Sequence, residues 1–200
     1  VRVERCFAFL DLCGFTEFTE HHGDDRVVVV LAQLRTMLRE SAARRGVRVV
    51  KWLGDGAMLS STMVDAVAAM VVELNCRMTT EQPSLPIRAG VSAGPVIMFE
   101  GDDYIGRAVN VAARLCDHAA PRQILATDRV CKDLPPWIEA GGPRDLVLRG
   151  LRVLQGVRPL ELARSDETVA DPVCGLVIPA RYAIEGPDGR CYCSEACATV

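Results

Sequence analysis

Two aspartates carry the first chemical signal. Asp55 stands between Gly54 and Gly56 in KWLGDGAML, at the end of an apolar run. Asp11 follows an apolar stretch containing Val3, Cys6, Phe7, Phe9 and Leu10. Asp and Gly suit the φ > 0 positions of tight turns, so a Gly-Asp-Gly tip is also ordinary hairpin chemistry. On adjacent antiparallel strands, however, the two carboxylates would lie side by side. Like charges held together are costly unless a cation fills the gap. Magnesium suits such a pair, because it takes hard oxygen ligands and leaves room for phosphate oxygens.

Two further groupings point the same way. DLCGFT sits between the first strand and a helix, and its glycine lets the amides around Phe15 and Thr16 approach a phosphate at a helix N-terminus. Downstream, DDYIGRAVNVAARL puts Asn110 and Arg114 four residues apart, on one face of a helix. An amide beside a guanidinium suits a ribose and a charged phosphorus centre, although such a pair is also common on a solvated helix edge.

The elements that must position these residues follow from periodicity. Residues 3–11 read as a buried strand. Val27, Val30, Leu31, Leu34, Met37 and Leu38 keep helical spacing, with Asp24 or Asp25 as N-cap. Residues 47–53 and 57–61 form a hairpin around Gly54-Asp55-Gly56. Thr62 and Asp65 resemble a capping box opening a helix that buries Val64, Val67, Ala68, Val71, Leu74 and Met78. SLPIRAGVSAGPVIM reads as a strand, 107–118 as a helix and QILAT as a strand; DLVLRGL and GVRPLELA close the domain as strands. The order predicts an α+β fold with a ferredoxin-like βαββαβ core and helices on one face of the sheet.

Composition narrows the class. The chain has 200 residues, a net charge of −3 and 50% hydrophobic residues, enough for one ordinary domain plus a small module. That charge gives no nucleic-acid footprint. No apolar run approaches the roughly 18–20 residues that span a bilayer. The opening VRVERCFAFLDL lacks a signal-peptide cleavage pattern, which predicts a cytoplasmic protein. Of nine cysteines, Cys6, Cys13, Cys76, Cys116 and Cys131 are scattered in apolar surroundings and read as reduced core thiols. Cys174, Cys191, Cys193 and Cys197 crowd into the end and mark a second unit.

Together FAFLDLCGFTEFTE, VVKWLGDGAML, IRAGVSAGPV and DDYIGRAVNVAARL resemble, in order, the motif blocks of the class III nucleotidyl cyclases. The resemblance covers residues 1–163, taken as the catalytic domain. It implies that Asp11 and Asp55 bind two Mg²⁺ or Mn²⁺ ions, and that Lys51 and Asp103 read adenine. It also implies that Asn110 orients the ribose and Arg114 stabilises the transition state. Phe15, Thr16 and, less directly, Arg149 (where many relatives carry a lysine) fall at substrate-binding positions. The implied reaction converts ATP to 3′,5′-cyclic AMP and pyrophosphate. The family works as head-to-tail dimers, so a homodimer with two composite sites is implied. Guanylate cyclases of the family usually carry Glu and Cys where this chain has Lys51 and Asp103. A diguanylate cyclase would need a Gly-Gly-Asp/Glu-Glu-Phe hairpin where LGDGA stands. A degenerate, non-catalytic sensing domain is the other alternative, and such domains usually lose one of the six residues kept here.

After a polar linker at 164–170, DPVCG and GRCYCSEACATV resemble the YHS module over 171–200. That resemblance implies zinc on Cys174, Cys193 and Cys197, with Cys191, Asp171 or water as the fourth ligand. A unit so short generally needs such a staple.

Overall fold

The computed structural model describes residues 1–80, 85–100, 103–151 and 153–200. Ser84, at the start of one expected strand, and Asp102, at the start of one motif block, lie outside the described residues. The chain runs β1 (Arg2–Leu12), α1 (Phe15–His22), α2 (Asp24–Arg45), β2 (Arg48–Leu53), β3 (Gly56–Ser61), α3 (Val64–Thr80), β4 (Ile87–Phe99), β5 (Asp103–Ile105), α4 (Arg107–His118) and β6 (Ile124–Ala126). It continues through β7 (Ile138–Ala140), β8 (Arg144–Leu146) and β9 (Leu154–Leu162). The tail adds β10 (Thr168–Ala170), β11 (Val177–Pro179), β12 (Ile184–Glu185), β13 (Cys191–Tyr192) and the short α5 (Glu195–Ala198).

The main sheet has the order β2-β3-β1-β4-β6-β9-β7, with β5 beside β4 and β8 beside β9. β4 and β6 pair in parallel, and the other neighbours pair antiparallel. This is the expected βαββαβ core, extended by strands on one side.

One expectation fails. Helices cover both faces of the sheet. Cys6, Ala8, Leu10 and Leu12 of β1 pack with α2 and α3, whereas Phe7 packs with Met58, Val96, Tyr104 and the α4 residues Ala108 and Ala112. β1 is apolar on both faces, the pattern of a strand buried from both sides. Gly90 allows the second layer. A Cβ there would lie 2.2 Å from the Ala112 carbonyl and 2.3 Å from the Cys116 nitrogen, so α4 rests directly on the β4 backbone.

Local expectations are corrected too. Gly23 is the N-cap of α2, and Asp24 and Asp25 lie in its first turn. Carboxylates there still favour the positive end of the helix dipole. α3 begins at Val64, so Thr62 falls one residue too early to cap it; Ser61 Oγ instead accepts from the Met63 amide at 3.2 Å. In DLVLRGL only Asp145 and Leu146 belong to a strand, and the chain turns at Arg149-Gly150, where Gly150 takes φ 76°. Within 164–170, the last three residues form β10, paired with β11.

α2 and α3 are tied by charge. The fully buried Glu73 pairs with Arg44 and with Arg45, whose Nε lies 2.8 Å from Oε2. Buried carboxylates persist when paired and hydrogen-bonded in this way. Cys6 and Cys116 are free and buried, and burial pushes their thiols up to about 12, which keeps them neutral.

Replacing Gly90 by Ala should force α4 off the sheet and cost on the order of 1–3 kcal/mol. The urea midpoint of the variant measures this; an unchanged midpoint would contradict the close α4–β4 contact.

Candidate active site

The register of β1 builds the first half of the site. Asp11 lies opposite Gly56 of β3 on one side and Arg88 of β4 on the other. Gly54 takes the left-handed turn position at φ 67°, and Asp55 follows it at the hairpin tip. Gly56 has a different task. A Cβ there would lie 2.4 Å from the Leu10 carbonyl and 3.3 Å from Asp11 Oδ1, so glycine is what lets β3 lie this close to the β1 backbone beside the Asp11 carboxylate.

The two expected metal ligands do sense each other. Burial, and then the charge of Asp11, raise Asp55 above the usual carboxylate range. That is the signature of an anionic pair short of positive charge. Arg88 supplies part of it, donating to Asp11 Oδ2 through Nη2 at 2.8 Å and Nε at 3.2 Å. Hard oxygen donors with a charge deficit fit a divalent cation.

The second half comes from residues far apart in the chain. Lys51 Nζ donates to Asp103 Oδ2 at 2.6 Å, bringing together residues 52 positions apart. This hydrogen bond holds Asp103 below the usual carboxylate range. Asn110 and Arg114 are exposed on the same side of α4, one turn apart. Arg114 Nη1 pairs with Asp117 Oδ2 at 2.9 Å, and the Asp117 carbonyl in turn accepts from Arg88 Nη1 at 3.1 Å. A line of polar contacts thus links Asp11 to Arg114 through Arg88 and Asp117.

Phe15 is half-buried against the core at the start of α1, and Thr16 beside it is exposed. Gly14 caps that helix in the left-handed conformation at φ 76°. Arg149 is exposed in a turn; among the described contacts, none joins it to the other candidate residues. Sequence reasoning missed Arg88. It lies inside the IRAGVSAGPV block, and an arginine in an otherwise small and apolar strand was the available signal.

The family model for the adenylate and guanylate cyclase catalytic domain matches residues 3–142. The chain belongs to this family. An uncharacterized protein of Mycobacterium tuberculosis is 34% identical over 143 residues, spanning 71% of this chain and 37% of that protein. A pH-sensitive adenylate cyclase of the same species is 31% identical over 155 residues, spanning 76% of this chain and 37% of that protein. The matched region is therefore little more than a third of each relative. In fold, the cyclase domain is similar to the adenylyl cyclase CyaB from P. aeruginosa, with a TM-score of 0.67 at 23% identity over 83% of this chain and 97% of that one. It is similar also to the guanylyl cyclase Cya2, with a TM-score of 0.70 at 19% identity over 83% of this chain and 96% of that one. No helix among the described residues is long and apolar enough to cross a membrane.

Because Asp55 is raised in the folded state, the folded cyclase domain binds more protons than the unfolded chain just above the ordinary carboxylate pKa. Metal-free stability should therefore fall as pH rises through that window. Asp55→Asn removes this loss. In chelator-treated protein its denaturation midpoint should gain on the parent progressively as pH rises above the ordinary carboxylate range. A pH-independent difference would count against the charge clash.

Proposed function

We propose that this cyclase domain is an adenylate cyclase, forming 3′,5′-cyclic AMP and pyrophosphate from ATP at the interface of a homodimer. The observation that carries the reading is the Lys51–Asp103 pair in a domain that also holds the Asp11–Asp55 carboxylates. An ammonium donor next to a carboxylate acceptor matches the N1 acceptor and N6 amino donor of adenine. A polar base reader of this kind rejects a base that leaves its groups unpaired.

Asp11 and Asp55 are the residues that would hold two Mg²⁺ or Mn²⁺ ions. When bound, those ions supply activation of the ribose 3′-hydroxyl and neutralisation of phosphate charge. The chain's own residues do the rest. Asn110 orients the ribose ring oxygen and hydroxyls by hydrogen bonding, so that the 3′-oxygen faces the α-phosphorus in line with the departing pyrophosphate. Arg114 meets the charge that develops around phosphorus. Its pairing with Asp117 is half-exposed, and exposed pairs of this kind are worth at most about 1 kcal/mol, so the guanidinium is readily released to substrate. Arg88 keeps the Asp11 carboxylate in position and presents a cation next to the phosphate path. The amides of Phe15 and Thr16 at the start of α1 suit the polyphosphate. Arg149 is assigned to the same phosphates on the resemblance alone.

The dimer has separate support. The strand pair that carries Asp103 exposes Ile97, Phe99 and Ile105, with Ile97 directly opposite Ile105. Apolar cross-strand neighbours left in water favour a partner surface. In the proposed arrangement, one subunit brings Asp11 and Asp55. The other brings Lys51, Asp103, Asn110 and Arg114.

Two experiments test this. Lys51→Glu combined with Asp103→Cys should lower kcat/KM for ATP at least about 100-fold, on the order expected when a polar base reader is removed. Unchanged ATP kinetics, with GTP turned over equally well by the parent, would overturn the adenine assignment. In the second, Asp55→Ala and Arg114→Ala chains should each be inactive alone, and mixing them should restore activity through one intact composite site. A dead mixture in which subunits demonstrably exchange would rule out the shared site.

A further inference from the structure

The tail is built into the cyclase domain, and its cysteines are gathered at the junction. Cys174, Cys193, Cys197 and Asp171 are all buried, and their ligand atoms lie within 4.8 Å of one another. Cys193 Sγ is 3.7 Å from both Cys174 Sγ and Cys197 Sγ. This is far longer than the roughly 2.05 Å of a disulfide. It matches the edge of about 3.8 Å that tetrahedral thiolate coordination gives at a zinc–sulfur distance of about 2.3 Å. Cys191 is exposed on β13 and lies outside the cluster, while its neighbour Tyr192 is buried.

Asp171 organises the cage. Its Oδ1 accepts from the amides of Val173 at 2.8 Å and Cys174 at 3.0 Å, and its Oδ2 accepts from the amide of Cys193 at 2.7 Å. One carboxylate therefore holds the two cysteine loops together, and lone pairs remain on its oxygens.

The cyclase domain closes the cage from outside. Arg45, the last residue of α2, donates through Nη2 to Cys193 Sγ at 3.2 Å and through Nη1 to Ser194 Oγ at 3.4 Å. Its Nε is held by the buried Glu73 of α3. Arg44 and Arg45 share that one carboxylate, so a net positive charge faces the sulfurs. Trp137, almost fully buried, donates its indole N–H to the Cys193 carbonyl at 2.9 Å. Groups that hydrogen-bond metal ligands from outside tune affinity strongly.

For the soft divalent cation of the zinc class that the resemblance implies on Cys174, Cys193 and Cys197, we propose that Asp171 is the fourth ligand and that Arg45 and Trp137 of the cyclase domain complete the site. The metal is then a rivet between tail and catalytic domain. Four protein donors make the centre closed and structural, and the geometry is independent of the nucleotide chemistry. Three thiolates and a carboxylate next to one guanidinium need a divalent cation to offset most of their charge, and a tail with so few core residues of its own gains its order from the metal and from the α2–α3 face together.

The test uses the full chain, purified anaerobically in reductant. Elemental analysis should find one zinc per chain. Exchange with cobalt should give a thiolate-to-metal charge-transfer band that weakens in Cys197→Ser. In competition with a chromophoric chelator, Arg45→Lys should bind zinc about 10- to 100-fold more weakly, and Trp137→Phe should also weaken it. Stripping the metal should speed amide exchange in the tail and in the last turn of α2. The absence of both zinc and a cobalt band in the reduced chain would overturn the site. Parental affinity in both the Arg45→Lys and Trp137→Phe variants, with exchange in α2 unmoved by chelation, would overturn the link to the cyclase domain.

Discussion

The candidate chemistry depends on the register of β1 between its two neighbours. Asp11 stands opposite Gly56 on one side and Arg88 on the other, so one anion, one gap and one cation form a row across three strands. A slip of one residue would turn every β1 side chain to the opposite face. Apolar contacts prevent this, because Ala8 and Leu10 are buried beneath α2 and α3 and Phe7 is buried on the α4 side. The positions of the charged groups are thus inherited from the packing of uncharged ones.

Much of this arrangement is legible in the sequence. Periodicity locates β1, α2, the β2–β3 hairpin, α3 and α4, because each is long enough for its apolar pattern to dominate. The Asn110–Arg114 spacing is likewise a local signal, and the Asp11–Asp55 pair follows once the two strands are taken as neighbours. What escapes is non-local. The layer formed by α4 on the second face depends on Gly90, whose role appears only when the α4 backbone lies against it. The Asp11–Arg88 pair spans 77 positions, and nothing in the spacing announces it. DLVLRGL reads as a strand by composition, yet the left-handed Gly150 turns the chain out of the sheet. The cysteine cluster is visible as composition, but the choice of Asp171 over Cys191 or water and the contact with Arg45 belong to tertiary structure.

A common principle governs the paired charges of the domain. Three pairs join candidate residues within the chain: Asp11 with Arg88, Lys51 with Asp103 and Arg114 with Asp117. These pairs sit at or near the surface, where water screens them and exchange costs little. The pair between α2 and α3 is of another kind. Glu73 is fully buried, and removing one partner there would strand a charge in the interior. The domain therefore keeps exchangeable pairs at the candidate site and fixed ones where helices meet.

The position of β9 has a further consequence for where this protein can be divided. The family match ends at residue 142, but β9 begins at Leu154 and lies inside the sheet between β6 and β7. The unit recognised by descent is consequently smaller than the unit that folds. A chain cut at the family boundary would leave β6 as a naked edge, with its unpaired amides and carbonyls open to a neighbouring molecule. The late strands, though outside the shared motifs, act as a built-in guard against edge-to-edge assembly.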